Sequence, residues 1–176
     1  SSVVFLNEYG RLMMNMGRND AAKQTLERAV ALDARFPEPY LALAVYWERR
    51  AADALRTDDR TDSTQSLERA LAMCELAWLA KPDLDSVNGT VERIEDELTR
   101  RGHPRPSRAR MLEFYGGDPE THLALSRSLL DRSHPGRAAR HAELALGLAA
   151  DEEQRQQALE LLSLAQRFGE STSTPQ

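Results

Sequence analysis

Three arginines, Arg11, Arg93 and Arg127, are the residues of this 176-residue chain whose spacing best supports recognition chemistry. A guanidinium offers five donors in a planar fork and grips a carboxylate through two parallel hydrogen bonds, which an ammonium cannot copy. Standing at one position on successive helices, the three would line a groove suited to an acidic side chain or a chain terminus. Helical projection adds Asn7, Met14, Leu41, Val45, Glu48 and Leu123 to the same groove, with Asp96 and Leu130 beside them. The bland alternative is solvation, because arginines on exposed helix faces pair with nearby glutamates at little net gain.

Catalytic chemistry finds little support. His103, His122, His134 and His141 read as isolated, with no His-Glu-x-x-His pair and no ligands at metal spacing. His122 is expected to be a packed or surface histidine. Cys74 is the one cysteine, so no intrachain disulfide forms, and its place among apolar residues predicts a buried, inert thiol. Gly116 and Gly117 lack the rest of a phosphate loop. No enzyme activity, cofactor or metal is expected.

The charge of −5, from 23 basic and 28 acidic residues, argues against nucleic acid as a partner, since phosphates call for a basic surface. Arg100, Arg101, His103, Arg105, Arg108 and Arg110 cluster in a proline-broken connection that reads as a solvated loop. No run approaches the ~18 apolar residues of a membrane span, and Val3 to Leu6 is too short for a signal peptide. The compartment stays open, with a mild lean to the cytoplasm.

Such side chains need a scaffold, and the chain is rich in alanine, leucine, arginine and glutamate, the composition of closely packed helices. An internal repeat organises them. Leu6, Gly10, Met13, Ala22, Leu26 and Ala29 form a first unit over about 3–36, and Tyr40, Leu43, Ala44 and Trp47 resume the pattern 34 residues later. A second unit, 37–84, carries an insertion near 52–65 whose polar tip, Thr57 to Ser63, ends two lengthened helices; Asp62 or Ser63 is the expected cap of the returning helix. A third unit, 85–118, is degenerate, because Asn88, Glu92 and Glu95 occupy packing slots and Gly102, Pro104 and Pro106 shorten its second helix to about 107–115. A fourth, 119–150, is regular, with a turn at Ser133 to Gly136. A polar-backed capping helix follows over 151–168, ended by Gly169, and 169–176 is expected to be a disordered tail.

On Leu6 to Trp47, where Gly10, Ala22, Ala29, Tyr40, Leu43 and Ala44 fall on motif slots, the chain resembles the tetratricopeptide-repeat family; Ala34 stands where that motif has proline. The resemblance implies an all-α, right-handed superhelical solenoid of antiparallel helix hairpins, about nine helices, in one domain over 1–168. It also implies a protein-protein interaction module, an adaptor or scaffold holding a peptide or protein, acidic where it binds, in a concave groove. Some relatives grip a chaperone's terminal carboxylate, but Ala42 replaces the second asparagine that clamp needs, so it is not expected here. Two alternatives are a self-assembly segment and a regulatory appendage of an enzyme whose catalytic domain precedes Ser1. An elongated monomer is expected, with the apolar start of the first helix as the surface for weak dimers.

Overall fold

The 34-residue step is carried by helix pairs. The computed structural model describes residues 2–102 and 106–172. Within them α1 (Ser2–Asn15) and α2 (Asn19–Leu32) turn at Gly17, whose φ of 73° suits a residue without Cβ. Gly10 makes the pair possible, because a Cβ there would lie 2.7 Å from Cγ of Leu26. Ala22, Leu26 and Ala29 are fully buried, so α2 lays a stripe of small and branched residues on its neighbours.

The next hairpin is longer, as the insertion requires: α3 (Glu38–Arg56) and α4 (Arg60–Ala80) have 19 and 21 residues against 14 each in α1 and α2. Pro39 fits the first turn of α3, where its missing N–H costs no hydrogen bond. The tip turns at Asp58, φ 57°. The cap of α4 is Asp59, whose Oδ1 accepts from the N–H of Asp62 at 2.9 Å, so the chain returns to helix three or four residues before the expected Asp62 or Ser63. Trp47 is held between the Lys23 ammonium at 5.9 Å and the Arg69 guanidinium at 4.7 Å, which ties α2, α3 and α4 together. Trp78 donates its indole N–H to the Leu84 carbonyl at 3.2 Å and fixes the turn leaving α4.

A single 3₁₀ turn, Asp85–Val87, leads into α5 (Asn88–Arg100). Val91 and Ile94 are fully buried, and Ile94 joins the core formed by Met13, Leu26, Leu43, Tyr46, Trp47 and Leu67. Arg101 departs from the solvated-loop expectation. It donates to Glu97 at 2.7 Å, to Ser63 at 3.0 Å and to Thr64 at 3.3 Å, closing α5 onto α4. His103 and Arg105 lie outside the described residues.

The chain separates into two compact units at Pro106 and Ser107. The second unit holds α6 (Arg108–Tyr115), α7 (Pro119–Asp131), α8 (Pro135–Leu148) and α9 (Glu152–Thr172). Ser107 and Asp118 cap α6 and α7 through their side-chain oxygens. Leu123, Ala142, Ala145, Ala158 and Leu161 form its core. The last helix runs through Gly169 to Thr172, because an isolated glycine costs a helix only about 1 kcal/mol and no proline follows at once. The expected tail beyond Thr172 lies outside the described residues. The protein is all-α, with nine α-helices and no strand among the described residues.

Candidate protein-binding face

Two of the groove arginines belong to the first unit and sit at matching repeat positions on α1 and α5. Arg11 is exposed and meets only Glu8 of its own helix, at 3.6 Å. Arg93 reaches across to α3 and holds Glu48 Oε2 at 2.5 Å, with its side chain still 59% exposed and that of Glu48 21% exposed. Val45, the α3 residue equivalent to both, is open to solvent, and Leu41 one turn earlier is half-buried. Arg11, Leu41, Val45, Glu48 and Arg93 are thus accessible residues of one unit, drawn from α1, α3 and α5.

Asn7 and Met14 lie deeper than the projection expected. Both are buried; the Asn7 amide donates to Glu8 at 3.1 Å, while its Oδ1 has no partner. Arg127 and Leu123 belong to the second unit. Arg127 is exposed and donates to Gln157 at 2.6 Å, whereas Leu123 is fully buried in that unit's core and cannot line an open groove. Its slot faces α8 and α9, a consequence of packing that a single-helix projection does not contain. Asp96 is exposed and Leu130 packs partly against the same core as Leu123.

The insertion adds a feature that sequence spacing did not flag. A half-open cavity of about 490 Å³ lies between the Gly17 turn and the outer halves of α3 and α4, lined by Asn19, Asp20, Tyr46, Arg49, Arg50 and Asp62 among others. Arg50 spans it to Asp62 at 3.2 Å, and burial and that carboxylate act on its guanidinium in opposite senses. The lining is of mixed sign, with Arg50 and Asp62 paired to each other.

His122 and His141 are not isolated from each other, which corrects the reading of four separate side chains. His122 of α7 and His141 of α8 are buried in contact, Nδ1 to Nδ1 at 2.9 Å, and Nε2 of His122 lies 2.8 Å from the Gly116 carbonyl. Tyr115 packs edge-on against His141 with ring centres 4.6 Å apart. Burial lowers the pKa of His122, and burial followed by the charges of Arg137 and Arg140 lowers that of His141 to about 3. Two ligands without a third do not make a metal centre, and no group of three or more histidine, cysteine or acidic side chains converges among the described residues. Cys74 is buried and takes part in no disulfide. No described helix is long and apolar enough to cross a membrane.

No family model matches the chain, and no curated protein does. Among solved structures the chain is similar to one named MamA MSR-1 C2, at 17% identity and a TM-score of 0.36, over 97% of this chain and 98% of that one. A likeness at that score adds nothing to the helices and contacts described above.

Proposed function

We propose that the chain is a non-enzymatic protein-interaction module of the tetratricopeptide-like kind, and that its first unit holds an extended segment of a partner protein across α1, α3 and α5. One observation carries this reading: Arg93 and Glu48 form an exposed ion pair between α3 and α5, at the repeat position that is Val45 on α3 and Arg11 on α1. Exposed pairs contribute only about 0–1 kcal/mol, so a partner carboxylate displaces Glu48 from Arg93 at small cost while Val45 and Leu41 supply apolar contact. The 34-residue hairpin repeat supports the same class, since such stacks present their first helices as a continuous surface.

The test compares capture of proteins from a lysate of the source organism by the full chain, by Arg11→Glu/Arg93→Glu, and by Glu48→Gln, each verified helical by circular dichroism. Partners are expected to be lost from the double reversal and retained or strengthened with Glu48→Gln, which frees Arg93. Equal retention by the double reversal overturns this face as the binding surface.

A further inference from the structure

Five apolar side chains stand open on the outward face of α1 and at the first residue of the turn that follows it: Val4, Phe5, Tyr9, Leu12 and Met16, exposed between 41% and 67%. Phe5, Tyr9, Leu12 and Met16 recur at steps of four, three and four, one stripe along the helix. The rings of Phe5 and Tyr9 stack on each other, centroids 5.9 Å apart and nearly parallel. Leaving such a stripe in water forgoes the stabilisation that covering the exposed part of each side chain would bring.

The repeat identifies what the stripe is built for. A shift of 34 residues carries Phe5, Glu8, Tyr9 and Leu12 onto Pro39, Ala42, Leu43 and Tyr46 of α3. On α3 all four are buried, and Ala42, Leu43 and Tyr46 share one core with Met13, Ala22 and Leu26 of the α1–α2 hairpin. On α1 all four are exposed. The middle of the face, from Phe5 to Leu12, is therefore covered by a hairpin in one unit and open in the other, while Val4 and Met16 at its ends match the exposed Glu38 and Arg50.

We infer that the outward face of α1 is a docking site for a partner's helical hairpin built like α1–α2. Its second helix presents small and branched residues at the spacing of Ala22, Leu26 and Ala29, and it sets a basic residue over Glu8, the acid that replaces Ala42 on this face. Size separates this occupant from a second copy. The stripe alone offers on the order of 500 Å² per side, which doubled reaches only the lower edge of the area a freely associating pair needs. A hairpin covers more, because both of its helices reach the receiving one, as α1 and α2 both reach α3.

The experiment inserts a second copy of residues 3–36 directly ahead of residue 3 of the full chain, which keeps the 34-residue frame and offers the α2 stripe to the original α1. Two helices of additional circular dichroism are expected, together with amide exchange slowed about tenfold or more in the original α1. Tyr9→Glu in the original α1 should abolish the slowing while the rest of the chain keeps its helicity, since Tyr9 is exposed and its replacement disturbs no core. Glu8→Ala there, restoring the residue found at 42, should strengthen the protection. Unchanged exchange in α1 beside an unfolded added segment overturns the inference. So does a dimer of the unextended chain in sedimentation at micromolar concentration that Tyr9→Glu dissolves, which would assign the face to a second copy.

Discussion

His141 donates its Nδ1 proton to Nδ1 of His122. The direction follows from the other end of His122, where Nε2 faces the Gly116 carbonyl at 2.8 Å and must carry a proton to satisfy it. A neutral imidazole has one N–H, so Nδ1 of His122 is the acceptor in the 2.9 Å contact with His141. The pair thus locks both rings in opposite tautomers and joins α7, α8 and the Gly116 turn.

Acid should loosen this arrangement. Both folded pKa values lie below the ordinary histidine value, burial being the first cause in each, so the unfolded chain binds more protons once the pH falls below about 6.5. Stability is complete above that pH and declines as pH falls toward the folded value, about 3 for His141. His141 alone contributes a slope approaching about 1.4 kcal/mol per pH unit. Asp118, whose carboxylate is held below its usual range mainly by the Thr121 hydroxyl, adds its loss only at lower pH. Urea denaturation at pH 7.5, 6 and 5, with His141→Asn alongside, checks this; equal slopes in both proteins would refute it.

Gly10→Ala should destabilise the first unit although alanine is the better helix former by about 1 kcal/mol. The added methyl would meet Cγ and Cδ2 of Leu26 at 2.7 and 2.8 Å, and Leu26 is fully buried. Overpacking of this kind costs about 1–3 kcal/mol. Pairing the change with Leu26→Ala should give coupling of opposite sign to the overpacking, measured as a double-mutant cycle in urea.

Asp59→Ala should cost about 1 kcal/mol by removing the cap of α4, whereas Ser63→Ala acts elsewhere, by taking an acceptor from Arg101. Hydrogen exchange of the Asp62 amide distinguishes the two, rising only in the first variant.

Ser133→Gly should stabilise the second unit by up to about 1 kcal/mol, since Ser133 holds φ at 63° in the turn between α7 and α8 and glycine removes the Cβ penalty. Its N–H to Leu130 and that of His134 to Leu129 are backbone bonds and survive the change. A lower melting temperature for the variant would count against this account.

The hairpins were legible because their signals are local and periodic: Gly10, Ala22 and Ala29 mark close helix approach, Gly17 a turn, and the 14 residues of polar insertion a lengthened pair. The cap of α4 was misplaced because Asp59 and Asp62 offer the same chemistry, and only the tip geometry chooses. The meeting of His122 with His141 was not legible: the two are 19 residues apart on different helices, and neither sits in a motif. Arg101 carried no signal either, since a guanidinium in a proline-broken stretch looks the same in sequence whether it is free or clamped to Ser63. Among the groove residues, exposure was right where the face is open, at Arg11, Val45 and Arg93, and failed at Asn7 and Met14, which are buried on α1, and at Leu123, whose cover comes from α8 and α9.

The overhang of α3 and α4 gives the molecule a place that tolerates addition. Five and seven residues longer than α1 and α2, these helices project by about 7 to 10 Å at the rise of a helix, and end in the exposed turn Thr57 to Asp59. Cargo spliced between Thr57 and Asp59, such as an epitope, a fluorophore or a small folded domain, would ride on a two-stranded helical mast, clear of both the Arg93 surface and the α1 stripe.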